Sequence, residues 1–389
     1  MLHNKLPGTG TTIFTVMSKM AQDHGAINLS QGFPDFEGPQ ALRERVVYHL
    51  NHGHNQYAPM AGLPDLQEQI AAKVLDLYGC TVDPHSQVTV TPGATEAIFC
   101  AVTAVVHPGD EVIVFDPAYD TYDPCVTLNG GVTRHLALDY PDFSIDWQQV
   151  RDTINERTRL IILNTPHNPT GTVWTEQDIQ SLREVIAGHD ILLLADEVYE
   201  HISFDGKKHH SLLRYPDLAE RAFVVSSFGK TYHVTGWRVG YCIAPLPMMK
   251  EFLRIHQFIN FSTNAPLQYA IADFLRDCPQ HHRELAGFYQ QKRDLFCALM
   301  GPSQFSLKPS AGTYFQLADY SKISNEPDTE FASRLTREHK VAVIPISVFY
   351  KNPPDQRVVR FCFAKHDDTL REAGARLELL TRSYRPSGR

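Results

Sequence analysis

Three stretches of this sequence carry residue types that could do chemistry together. The first is Ser226-Ser-Phe-Gly-Lys230, with Arg238 eight residues on and Gly240 after it. A deprotonated amine is a nucleophile, and an arginine offers a forked cation for an oxyanion. Gly229-Lys230-Thr231 resembles the end of a nucleotide phosphate loop. That loop needs a glycine five residues before Gly229, where Val224 stands inside a strand-like run, so a nucleotide site is rejected. The second stretch is Asp196, which follows the apolar run Ile191-Leu-Leu-Leu-Ala195. A carboxylate ending a buried strand needs a cationic partner. The competing reading is a residue that caps the next turn. The third is Gly93-Ala94-Thr95, where a strand pattern gives way to a helical one. Backbone N–H groups and the helix dipole then face an anion.

These residues need elements to hold them, and the sequence supplies a rhythm. Gln87–Thr91, Glu111–Phe115, Leu160–Leu163, Ile191–Ala195, Ala222–Ser226 and Val239–Ala244 read as strands. Several are short unbroken apolar runs, as expected when helices cover both sheet faces. Helical patterns over Ala94–Val106 and Thr175–Ala187 separate some of them. The expected class is α/β with a mostly parallel sheet, in which ligands bind beyond the carboxyl ends of the strands. Asn168, Asp196, Ser227 and Lys230 all follow such ends. From about residue 285 a long helix (Leu285–Leu299) leads into shorter elements, read as a second, smaller domain. A helix over residues 11–24, stopped by Gly25, is expected to pack with it.

Length and composition bound the rest. A chain of 389 residues suits one large domain with a smaller companion. The net charge of -8 argues against nucleic acid and against an anionic membrane surface. No run is long enough to span a bilayer, and the first ten residues lack the apolar stretch of a signal peptide. Seven cysteines, an odd number without a C-x-x-C pair, point to a reducing, cytoplasmic compartment rather than to disulfides or zinc. No metal is expected. His209-His210 and His281-His282 sit among polar neighbours and read as solvated surface residues.

The lysine segment, with a serine three residues before the lysine and an arginine and a glycine after it, resembles that of the class I/II aminotransferases of fold type I. The resemblance runs from Gln31-Gly-Phe-Pro-Asp35 to Arg360-Phe-Cys-Phe363, nearly the whole chain. It implies pyridoxal 5′-phosphate as cofactor, a large domain with a mostly parallel seven-stranded sheet between helices, and a smaller α/β domain. The implied division is an N-terminal arm and part of the small domain over 1–45, the large cofactor domain over 46–284 and the small C-terminal domain over 285–389. Lys230 would form a Schiff base with the cofactor and move the α-proton once freed. Asp196 would hold the pyridinium nitrogen, Tyr199 and Asn168 would reach the ring's phenolic oxygen, and Tyr119 would stack on the ring. Gly93, Ala94, Thr95, Ser227 and Arg238 would hold the phosphate. Arg360 and the backbone of Gly32 would take the substrate carboxylate, the arginine by its fork. Tyr57 would reach the phosphate of a neighbouring subunit, which implies a homodimer.

Within the family, Gln31-Gly-Phe-Pro-Asp-Phe36 and Pro345-Ile-Ser-Val-Phe-Tyr350 look most like the glutamine, kynurenine and methionine transaminases. No second arginine offers itself for a side-chain carboxylate, so an amino donor with a neutral side chain is expected, methionine first, with a 2-oxo acid as acceptor. Phe14, Phe33, Phe261 and Phe349 are candidates to line the side-chain pocket. A carbon–sulfur β-lyase would use the same residues. A ligand-sensing regulator would need a DNA-binding segment for which the resemblance leaves no room.

Overall fold

The computed structural model describes residues 4–7 and 9–383. The expected arm and small domain therefore begin and end on residues 1–3, 8 and 384–389, outside the described part.

Seven strands form the main sheet, in the spatial order Val88–Thr91, Gly240–Ile243, Ala222–Ser227, Leu192–Asp196, Thr158–Asn164, Glu111–Asp116, Val132–Ala137. Gly240–Ile243 runs antiparallel to both its neighbours, and the other pairings are parallel. Six strands thus run the same way, and the reversed one starts at the edge where the six end. The apolar runs divide by period two between the faces. Ile161, Leu163, Leu193 and Val224 enter one core, while Leu160, Ile162, Leu194 and Val225 enter the other. Both faces are covered, which is why these strands read as continuous hydrophobic runs. Val132–Ala137, absent from the sequence reading, is one of the two edge strands. Thr133, Arg134 and His135 make it polar, and much of it is exposed.

A second, four-stranded antiparallel sheet has the order Ile344–Pro345, Val358–Cys362, Phe315–Asp319, Ser306–Leu307. Its core draws in Leu285, Tyr289 and Phe296 from the helix Gln280–Met300 and Met17 from the helix Ile13–Asp23. The N-terminal helix thus packs where the sequence suggested. The long helix starts at Gln280, earlier than expected. Ile27–Asn28 pairs in parallel with Val341–Ala342 and ties the first segment to the last.

One expectation fails. His209 and His282 are buried rather than solvated. The chain after His209 folds back, so that His209 Nε2 lies 2.8 Å from Glu197 Oε2 and Leu212 N–H donates to Glu197 Oε1. His282 is buried against His201, with ring centres 5.1 Å apart. No helix among the described residues is long and apolar enough to cross a membrane.

Candidate active site

The strand ends deliver the predicted residues to one edge of the sheet. Lys230 lies in the turn Phe228–Thr231, directly after the strand Ala222–Ser227. Its Nζ donates to Tyr314 Oη at 3.0 Å and to the Gly32 carbonyl at 3.2 Å. It lies 5.6 Å from the ring centres of Tyr199 and Tyr314. Burial, helped by the like charges of Arg238 and Arg360, pushes the ammonium down to about 8.

Asp196 ends its strand with only 4% exposure. Oδ2 accepts from Tyr122 Oη at 2.7 Å and Oδ1 from the Val198 N–H at 3.3 Å. The capping contact is therefore real, but it is partial. No ion pair reaches this carboxylate among the described residues, and burial pushes it up to about 6. A buried acid in that condition is a receptor for a cationic ring nitrogen.

The anion cradle is shaped by missing Cβ atoms. Gly93 precedes the helix Ala94–Val105 with φ +84°, and a Cβ there would stand 2.6 Å from Arg238 Nη2. Gly240 pairs with both Thr91 and Ser227. A Cβ on it would meet the Ala94 amide nitrogen at 2.9 Å. Arg238 adopts φ +54°, a left-handed conformation that a side chain disfavours, and Nη2 reaches Thr95 Oγ1 at 3.4 Å. The first helix turn, Thr95 and a forked cation without a carboxylate among the described residues stand together, a combination able to take an anion.

Arg360 is fully buried at 0% exposure. Nη1 donates to Asn168 Oδ1 at 2.7 Å and Nη2 to the Ser30 carbonyl at 3.1 Å, while Nε is buried without a partner. The guanidinium stacks 3.9 Å from the Phe315 ring centre, and burial pushes it down to about 10. Asn168 spends its oxygen on Arg360, which leaves its amide nitrogen as the end able to donate. Gly32 spends its carbonyl on Lys230 and Tyr314, which leaves its N–H. Tyr199 is buried edge-on against Tyr314. Tyr119 stands edge-on to Tyr122, with burial raising its hydroxyl.

Tyr57 stays apart. It is 85% exposed, with its ring against Phe261. Of the four candidate pocket phenylalanines, Phe14 and Phe349 both stand 5.5 Å from the Arg360 guanidinium. Phe33 covers Lys365, and Phe261 goes with Tyr57. The sequence reading missed Tyr122, Tyr314 and Ser30. Tyr122 lies three residues after Tyr119 and Ser30 just before Gln31-Gly32, so proximity to a motif was the available signal. Tyr314 had none.

A family model described as aminotransferase class I and II matches residues 24–377. A methionine aminotransferase of Escherichia coli is 53% identical over 97% of this chain and 98% of its own. A solved Escherichia coli structure with a methionine aminotransferase function superposes with TM-score 0.96 at 52% identity, covering 97% of this chain and 99% of that one. N-succinyldiaminopimelate aminotransferase of Mycobacterium tuberculosis superposes with TM-score 0.94 at 36% identity, covering 98% and 100%. The mostly parallel sheet, the anion cradle and the two buried charges without an ion-pair partner among the described residues agree with these likenesses: this chain belongs to the class I and II aminotransferases, the pyridoxal-phosphate-dependent enzymes of fold type I.

Proposed function

We propose that this enzyme moves the α-amino group of a neutral amino acid, methionine foremost, to a 2-oxo acid, with Lys230 carrying the cofactor. The observation that carries the reading is the pair of buried charges left without ionic partners, Asp196 and Arg360. Both are near enough to Lys230 to alter its proton affinity. When bound, pyridoxal 5′-phosphate supplies an aldehyde that captures the amino group and a ring that withdraws electrons. Asp196 would hold the ring nitrogen protonated. Tyr199 and the Asn168 amide would donate to the ring oxygen, and Tyr119 would cover the ring. Gly93, Ala94, Thr95, Ser227 and Arg238 would hold the phosphate. Arg360 and the Gly32 N–H would take the substrate carboxylate, presenting the α-carbon to Lys230. An amine with proton affinity near neutrality is suited to take and return that proton.

Support for a neutral substrate comes from the Escherichia coli methionine enzyme and from a kynurenine–oxoglutarate transaminase of Dictyostelium discoideum, 32% identical over 94% of this chain and 93% of that one. Phe14 and Phe349 beside Arg360 offer an apolar wall. These relatives also favour transamination over β-elimination. A steady-state panel of methionine, glutamine, phenylalanine, kynurenine and aspartate tests the reading. Methionine should give the highest kcat/KM and aspartate the lowest. A preference for aspartate, or pyruvate released from a cysteine conjugate without added oxo acid, would overturn it.

The assembly is proposed as a homodimer, with the exposed Tyr57 reaching the neighbouring phosphate. Phe258, 83% exposed in the single chain, lies near Phe261 in sequence and would also be covered. Cytoplasmic location fits seven free cysteines. The division into 1–45, 46–284 and 285–389 is supported by the core around the second sheet, which joins Met17 and Leu29 to residues from Leu285 on, with Val198, Tyr199, Ile202 and Phe204 of the middle segment packed into it and the helix Gln280–Met300 crossing the second boundary.

A further inference from the structure

Lys230 Nζ is held at two points, the Tyr314 hydroxyl and the Gly32 carbonyl. Tyr314 Oη donates to the Gly32 carbonyl at 2.6 Å. A hydroxyl has one proton, so with that proton committed the oxygen faces Lys230 as an acceptor. Lys230 thus has two acceptors, Tyr314 Oη and the Gly32 carbonyl, which are themselves joined by a hydrogen bond. Both take N–H bonds from the amine, and neither offers it a proton. The tyrosine is fully buried, and its ring is wedged against Tyr199, Tyr289 and Phe315. The acceptor therefore cannot swing away. Its other partner, Gly32, is the residue assigned to the substrate carboxylate. One hydroxyl joins the amine that moves the proton to the peptide that orients the substrate.

We propose that Tyr314 is a catalytic residue, which docks the released amine of Lys230 and fixes the Gly32 peptide in the same stroke. The proposal rests on Lys230 being the cofactor lysine. An ammonium has three N–H groups to satisfy and an amine two, so the acceptors favour the charged form. Removing one should make Lys230 lose its proton more readily.

The test is Tyr314→Phe, which keeps the ring and its packing. Tyr289→Phe is the control. Tyr289 packs in the same aromatic cluster, but its hydroxyl lies 2.9 Å from His233 Nδ1, and no Lys230 bond involves it. In cofactor-free protein, the pH dependence of Lys230 acylation, followed by mass spectrometry, reads the lysine directly. Tyr314→Phe should shift that titration down by about one unit, the scale of one hydrogen bond to a charged group. With cofactor, kcat should fall roughly 10- to 100-fold. The isotope effect on the α-deuterated amino donor should rise, while cofactor absorbance and binding stay unchanged. Tyr289→Phe should move none of these. An unshifted Lys230 titration overturns the proposal, whatever happens to kcat. Loss of cofactor binding in Tyr314→Phe also overturns it, by assigning the hydroxyl to the cofactor. Failure of the underlying reading looks different, because borohydride reduction of the wild-type holoenzyme would then leave no adduct on Lys230.

Discussion

Two groups of buried charge, one around Asp196 and one around Glu200 four residues on, follow opposite rules in this protein. Asp196, Lys230 and Arg360 face the strand ends with hydrogen bonds but, among the described residues, no opposite charge in ion-pair contact. Glu200, one residue after Tyr199, is saturated. It accepts from Lys73 Nζ at 2.7 Å, from Tyr241 Oη at 2.8 Å, from Ser226 Oγ at 2.5 Å and from the Tyr78 hydroxyl. Ser226 turns to this inner group, while Ser227, the next residue, is the one proposed for the phosphate. A buried charge that its own fold has satisfied is part of the architecture. One that the fold has left short is a place for a ligand. In the first group burial wins, raising Asp196 and lowering Lys230 and Arg360. Around Glu200 burial also pushes the carboxyl up, but Lys73 and the hydrogen bonds outweigh it and hold it well below the usual range.

The largest test of this contrast is Lys230→Ala, which should abolish transamination. Borohydride should mark Lys230 with a pyridoxyl adduct in the wild type, and an adduct mapped to another lysine would break the assignment. Next is Arg360→Ala. Loss of one partner from a buried forked pair costs about 3–5 kcal/mol, or roughly two to four orders of magnitude in kcat/KM. The loss should be similar for methionine, glutamine and phenylalanine, since all share the α-carboxylate. Arg360→Lys keeps charge without the fork and should also be impaired. The cofactor should stay bound in both variants, since Lys230 is untouched. An effect confined to one amino acid would make Arg360 a reader of side chains.

Asp196→Asn sharpens the contrast further. It should lower kcat about 100-fold, the scale of one lost charge contact in the reacting state, and loosen the cofactor. Yet without cofactor the variant should be more stable than the wild type. Asp196 goes from 3.8 to about 6 on folding. A raised carboxyl favours folding below its unfolded value, and that advantage disappears as pH rises through the folded one. Near neutrality the cofactor-free wild type therefore carries a burden of about 3 kcal/mol that asparagine lacks. Denaturation of both cofactor-free proteins at pH 7 reads the difference. Equal midpoints would mean that Asp196 is satisfied by the fold alone.

The sequence made this first group legible because its members sit at strand ends inside short motifs. Ile191–Ala195 announced a buried strand, so the acid after it stood out, and Gly93-Ala94-Thr95 marked the turn into a helix. The second group left no such mark. Lys73 sits on the buried face of its helix beside Ile70 and Val74, but nothing in the sequence points from it to Glu200, more than a hundred residues away. Tyr122 and Tyr314 stayed hidden because 16 tyrosines offer no way to tell by type which hydroxyl points at a charge. The misread His209 and His282 failed for the same reason. Periodicity reports which face is buried, and it is silent about polar residues that fold inward onto one another.

Glu200→Gln should have the smallest effect on activity, and it tests the other half of the contrast. Glu200 touches neither the cradle nor Lys230, so kcat and KM for methionine should change less than about threefold, a small fraction of the free energy of one hydrogen bond to a charged group. Stability should suffer instead. Removing one charge from a buried pair strands Lys73 and costs about 3–5 kcal/mol. The pH dependence fixes the cause. The folded Glu200 carboxyl lies below its unfolded value of 4.5. Its contribution is then complete above that value and is lost as pH falls through the lower, folded one. Glutamine has no such titration. The gap in denaturation midpoint between wild type and variant should be widest near neutrality and should shrink as the solution is made more acid than 4.5. A gap that stays constant with pH would mean that shape, and not charge, holds the inner group together. A large loss of kcat with stability intact would mean that the two groups are one site.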